Sequence, residues 1–340
     1  ILFISSLIKD SELFGRLINT LLSSLFPLII FFILRTKFKT NNLLLFFLSH
    51  FVLLSPYYRS AAIWPGDETI SLMIFSLSIF YYLKFKSTDK KNDQIKYILL
   101  NVISLSIACY FRPVYSLFTL FFIYEFFKNF NKNFFIYYIL INIILSFPAI
   151  YYVFILKVNF FGMFIPSFNF SNTLALTYMT VFFYLIPFLI TNFRSINLTK
   201  INFKSLTLTL FASLIVIYFF NYQPNNKGGG FFYYLSYFLF DNSILVYFIF
   251  PISFLIINYF LDIQKVENFL LILILIFLEI DTQFYVETYD PLLILMILSL
   301  FNFKYINNFF KIKFEKNITI LFIFLIFVMS IKFFQPYIVS

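Results

Sequence analysis

The chain has 340 residues, 61% hydrophobic and 12% charged, with 57 Phe and 25 Tyr. A soluble domain is about 45–50% apolar and about 25% charged, and disorder needs few apolar residues and much charge, so both classes are excluded and an integral membrane protein with many spans remains. The net charge of +10 then concerns which side of a membrane is basic, and it is not a nucleic-acid signal.

Apolar runs approaching the roughly 20 residues of a spanning helix predict an all-α fold, a polytopic transmembrane bundle. The runs centre on 17–34, 42–56, 67–84, 97–111, 113–127 and 134–156, then on 174–192, 205–221, 243–261, 268–280, 290–302 and 317–335. That is about twelve spans, of which 42–56, 268–280 and 290–302 are short enough to be broken or re-entrant. One set of alternate loops holds eighteen of the 25 basic residues and six of the 15 acidic ones. The Lys/Arg bias makes that set cytoplasmic, leaving seven basic and nine acidic residues outside. An even number of spans also puts Ile1 outside. A start without Met on that side implies an earlier span, so residues 1–340 read as a single, N-terminally truncated transmembrane domain.

The two faces differ in chemistry. Lys86-Ser-Thr-Asp-Lys-Lys-Asn-Asp93 and similar cytoplasmic runs read as solvated topology signals. The outer loops instead pair single cations with carboxylates and aromatics. In Pro56-Tyr-Tyr-Arg-Ser-Ala-Ala-Ile-Trp-Pro-Gly-Asp-Glu68, Arg59 precedes Trp64, and Asp67 and Glu68 open the next helix. These residues form either an interface anchor with an acidic first turn or a carboxylate site with a phosphate-binding cation. Arg112-Pro113 stands in a tight outer turn, where a guanidinium either snorkels or forks onto a phosphate. Lys227-Gly228-Gly229-Gly230 holds half of the six glycines and reads as a flexible turn or an anion cradle. In Glu279-Ile-Asp281-Thr-Gln-Phe-Tyr-Val-Glu287-Thr-Tyr-Asp290-Pro291, Asp290 suits a helix cap, and Tyr285 and Glu287 are candidate ligands. With one Cys (Cys109) and one His (His50), an intrachain disulfide, a Cys- or His-rich metal site and most catalytic triads are excluded. His50 reads as a packed polar residue.

The order of these motifs resembles the GT-C glycosyltransferases, which use polyprenyl-phosphate sugars: protein O-mannosyltransferases, aminoarabinose transferases and relatives. The resemblance rests on Phe14-Gly15-Arg16-Leu17, Pro56 and Asp67-Glu68. Phe111-Arg112-Pro113, the glycine triplet and the segment 283–291 are also similar to dolichyl-phosphate-glucose glucosyltransferases. It implies a multi-pass hexosyltransferase of the cell envelope, in a bacterial inner membrane with a periplasmic active face. The donor would be a polyprenyl-phosphate sugar and the acceptor a lipid, glycan or protein. It further implies that Asp67 and Glu68 are the acidic catalytic position, and that Arg59, Arg112 and Lys227 hold the lipid phosphate. Trp64, Gly228, Gly229, Tyr285 and Glu287 complete the expected substrate contacts. The family's signature acidic motif would lie upstream of Ile1, leaving Lys9, Asp10, Glu12 and Arg16 as its tail. A divalent cation, Mg or Mn, at Asp67 or Glu68 is an open alternative that ligand spacing does not indicate. Two other classes compete: an envelope polysaccharide polymerase or ligase, and a lipid-linked sugar transporter or flippase.

Overall fold

In the computed structural model every apolar run named above carries a helix, and the described residues contain no strand. These are residues 11–39, 41–64, 66–129, 132–154, 169–192, 203–223, 228–263, 265–278, 284–303 and 314–338. Four helical stretches among them are long and apolar enough to cross a membrane: Glu12–Lys37, Asp67–Lys86, Lys91–Phe111 and Phe170–Asn192. The number is below twelve partly because prolines cut apolar runs. Ser55 before Pro56 and Arg112 before Pro113 are both extended, since a following proline disfavours helical backbone. The run 42–56 therefore splits into a helix, a 3-10 turn and a new helix, and the run 113–127 opens on a 3-10 turn.

The chain forms two compact units. The first comprises residues 1–160 with 298–300. It contains α1 (Ser11–Ser24), α2 (Phe26–Lys37), α3 (Asn42–Ser49), α4 (Pro56–Ile63), α5 (Asp67–Lys86), α6 (Lys91–Phe111), α7 (Phe118–Asn129) and α8 (Lys132–Phe154). Local chemistry sets the ends. Asn41 accepts from the Leu43 amide at 3.0 Å and Ser55 from the Tyr58 amide at 3.0 Å, satisfying donors that a helix start leaves open. In α5, Asp67 and Glu68 occupy the first turn and Lys84 and Lys86 the last, matching the helix dipole at both ends.

α5 and α6 pack as an antiparallel hairpin across small and polar residues. Ser71, Ser76, Ser78 and Asn101 are all buried, and the Asn101 amide donates to the Ser78 carbonyl at 2.8 Å. Small residues let helix backbones approach closely when both faces are apolar. Tyr82 sits in a nest of Phe121, Phe122 and Phe126 at centroid distances of 5.4–6.2 Å, edge-on as ring quadrupoles favour. Its hydroxyl donates to Glu125 at 2.6 Å, and Lys86 reaches the same carboxylate oxygen at 2.7 Å. This corrects one sequence expectation. Residues 89–93 are exposed, as a solvated run should be, but Lys86 is committed to a carboxylate whose residue is only 1% exposed.

The second unit, residues 161–297 with 301–340, contains α9 (Phe170–Asn192), α10 (Phe203–Phe219), α11 (Gly230–Phe240), α12 (Ile244–Phe260), α13 (Val266–Ile276), the single turn α14 (Val286–Tyr289), α15 (Leu292–Ser299, whose end groups with the first unit) and α16 (Phe314–Ile338). α9 is buried over most of its length. It packs Tyr178 against Phe250 and Phe254, and Phe183 against Phe231 and Phe324. Asn268 clasps Asn302, three residues beyond the end of α15: its side chain donates to the Asn302 carbonyl and accepts from the Asn302 amide, both at 3.0 Å. By contrast α10 shows Leu210, Phe211, Leu214, Ile217 and Tyr218 on its surface. An apolar outer face of that size, on a helix whose Thr209 and Ser213 are buried on the other side, fits lipid better than water. A helical membrane protein is the class this architecture defines.

Candidate functional site

In the first unit, α1, α4 and the start of α5 converge on Trp64, the residue that ends α4. Asn19 of α1 is fully buried, and its amide nitrogen faces the carbonyls of Ala61, Ala62 and Trp64 at 2.9, 3.0 and 2.7 Å. Those carbonyls belong to the last turn of α4 and its exit, which a helix leaves without internal donors. Asn19 therefore acts as a C-terminal cap supplied by another helix. One turn earlier, the Arg16 guanidinium lies 3.8 Å from the Trp64 ring centroid and pairs with Glu12 at 2.6 Å. Trp64 remains 55% exposed, so one side carries a cation and much of the ring is open. Tyr58 completes the frame by donating to the Ser23 carbonyl at 2.7 Å. Burial pushes its phenol above the ordinary tyrosine value, which keeps it a donor.

Beyond Gly66, Asp67 and Glu68 stand exposed at the start of α5. Arg112, half-buried at the end of α6, approaches Glu68 at 4.0 Å. That separation is too long for a direct hydrogen bond and short enough for one ligand to touch both groups. Beneath them lies Tyr115, 4% exposed, its ring stacked on Phe75 at 4.6 Å. Arg112, Asp67 and Glu68 are its charged neighbours, and the nearby Ser71 hydroxyl donates to the Glu68 carbonyl at 2.9 Å. The hairpin α5–α6 thus brings Asp67, Glu68 and Arg112 together over one buried phenol. Arg59 is exposed on α4. A divalent cation here would find Asp67 and Glu68, and among the described residues no group of three or more His, Cys, Asp or Glu side chains gathers.

In the second unit the glycine loop, read from sequence as a flexible turn or an anion cradle, turns two of its amides inward. The Gly228 amide donates to the Tyr234 hydroxyl at 2.7 Å, and the Gly229 amide to the Phe284 carbonyl at 3.0 Å. Both donors are directed into the protein. All three glycines have positive φ, and a Cβ on Gly228 would fall 2.9 Å from the Phe284 carbonyl oxygen. Tyr222 locks the same contact, its hydroxyl accepting from the Phe284 amide at 3.0 Å. The loop is thereby fastened to the segment before α14, where Tyr285 is 41% exposed. Glu287 falls within α14, and its side chain lies outside what is described, as does all of Lys227. Asp290, expected as a cap, is buried at 1% exposure just before α15.

Asn19, Ser71 and Tyr115 are the contributors that sequence reasoning passed over. A lone Asn inside the apolar run 17–34 was the available signal, since an unpaired amide in an apolar helix is costly. Tyr115 carried none, being one of 25 tyrosines. Compared with protein-family models, curated proteins and solved structures, the chain matches none.

Proposed function

We propose that the chain is a membrane glycosyltransferase of GT-C type, moving a sugar from a polyprenyl-phosphate donor to an acceptor on the extracytoplasmic face, within a bundle of about twelve spans. The observation that carries this reading is the Glu68–Arg112 pair, 4.0 Å apart at the mouth of the α5–α6 hairpin, beside a half-exposed tryptophan. Glu68, or Asp67 beside it, takes the proton of the acceptor hydroxyl or amine as its oxygen or nitrogen bonds to the anomeric carbon. The bond from that carbon to the phosphate oxygen breaks, and Arg112 neutralises the charge that the departing phosphate gains. In-line attack inverts the anomeric centre. Trp64 offers a flat apolar ring to the sugar, with Arg16 stacked on it at 3.8 Å as a second cation near the donor phosphate. Arg59 remains a candidate further along α4.

The test is transfer from labelled polyprenyl-phosphate sugar by reconstituted protein. Glu68→Gln and Arg112→Ala are each expected to lower the rate by about 10²-fold or more, the scale of a lost acid–base or charge-stabilising group. Unchanged rates in both variants would sink the assignment. Movement of an intact lipid-linked sugar across the bilayer, with no glycosidic bond cleaved, would favour the flippase reading instead.

A further inference from the structure

Gly66 is a glycine that its own backbone does not require. The triplet 228–230 needs glycine because all three residues have positive φ. Gly66 stands at φ −109° and ψ 175°, extended backbone that any residue adopts. Helix capping does not call for it either. Gly66 precedes the first turn of α5 and gives that turn no side-chain bond, whereas Ser, Asn or Asp in its place would accept from an open amide.

What Gly66 provides is space. A Cβ at this position would fall 2.5 Å from Oε2 of Glu68, closer than two non-bonded atoms can pack. The other oxygen of that carboxylate, Oε1, is the one that faces Arg112 at 4.0 Å. The Glu68 side chain therefore folds back along the start of α5 onto the bare Cα of Gly66, and this return sets its carboxylate before the guanidinium. The Gly66 amide meanwhile donates to the Trp64 carbonyl at 2.8 Å, so one residue joins the seat of the carboxylate to the exposed tryptophan.

We infer that Gly66 is a positioning residue of the candidate site: its missing side chain seats the Glu68 carboxylate against Arg112, and any larger residue unseats it. The consequence for rate rests on the sugar-transfer reading, and the placement of Glu68 does not. The obstructed atom is the far end of a flexible side chain, so a substitution moves Glu68 and leaves the fold in place.

The experiment compares Gly66→Ser and Gly66→Ala with the native full chain. In thermal melting the Ser variant is expected to be at least as stable as the native chain, because it adds a cap. In transfer from labelled polyprenyl-phosphate sugar, both variants should nonetheless lose about tenfold or more in kcat, the scale of a misplaced reacting group, with KM for the donor changed less. Gly66→Ser combined with Glu68→Gln should be no slower than Glu68→Gln alone, since both changes act through one carboxylate. A third measurement does not need transfer. Modification by a water-soluble carbodiimide, read by peptide mass spectrometry as the ratio of Glu68 to Asp67, should rise severalfold in both variants as the Glu68 carboxylate leaves its corner for open solvent. An unchanged ratio overturns the inference whether or not the chain transfers sugar. Losses that multiply in the double variant overturn it as well, as does a native kcat in both Gly66 variants of a chain that Glu68→Gln slows. A raised ratio in a chain that transfers no sugar supports the seat of Glu68 and removes the transferase reading alone.

Discussion

Replacing Asn19 tests the frame of the candidate site more directly than any charge does. Its amide has two protons for three carbonyls at 2.7–3.0 Å, so two full bonds is the most it contributes. At about 1 kcal/mol net for each buried bond, Asn19→Ala should destabilise by about 2 kcal/mol. The carbonyls are not all orphaned, which pulls the figure down. Ala61 still accepts from the Thr69 hydroxyl at 3.0 Å, and Trp64 from the Gly66 amide at 2.8 Å. A value of about 1–2 kcal/mol is therefore expected. Asn19→Asp has nearly the same volume but aims an oxygen at three oxygens. Its cost should exceed about 3 kcal/mol, the scale of an uncompensated buried charge. Because those carbonyls favour the protonated acid, which can donate, the Asp variant should recover stability as pH falls, while the Ala variant should not. Trp64 is the chain's one tryptophan, so its emission during denaturant titration in micelles reads this site without a label. An Asp variant as stable as the Ala variant, or an Ala variant as stable as the native chain, would refute the capping role.

Three other outcomes follow from the geometry. Lys86→Met should destabilise by about 1–2 kcal/mol, below the 3–5 kcal/mol range for a fully buried pair because the ammonium is 40% exposed and partly screened; a double-mutant cycle with Glu125→Gln should return a favourable coupling. Gly228→Ala should cost about 2 kcal/mol or more, combining a φ of +137° with a Cβ placed 2.9 Å from a backbone oxygen, and thermal melting measures it. Arg16→Ala should leave the fold intact while uncovering one face of Trp64, raising the acrylamide quenching constant by roughly up to twofold since a ring has two faces; an unchanged constant would contradict the stacking.

Apolar runs located the helices well because their signal is one-dimensional. Length, hydropathy and caps such as Ser55-Pro56 or Gly66-Asp67 act within a few residues, and each marks a boundary in the structure. Arg112 and Glu68 were visible as outer-loop charges, but their approach depended on the α5–α6 hairpin. What stayed hidden required knowing which helices touch. Asn19 meets the end of α4 more than forty positions away, and Glu125 meets both Tyr82 and Lys86 from across a helix pair. The glycine triplet stayed open between two readings for the same reason. Its amides look available until Tyr234 and Phe284 are placed beside them, and no local pattern announces those partners.

The hydrogen bond from Asn101 to the Ser78 carbonyl also bears on how the chain is made. A buried amide in the middle of a spanning helix resists transfer from water into hydrocarbon until it finds an acceptor. Its acceptor here is on the other helix, and α5 and α6 are separated only by residues 87–90. Translation therefore delivers donor and acceptor almost together, and the two helices leave the translocon most cheaply as a preassembled pair. For Asn101→Leu that requirement disappears, and α6 should insert efficiently even when expressed without α5.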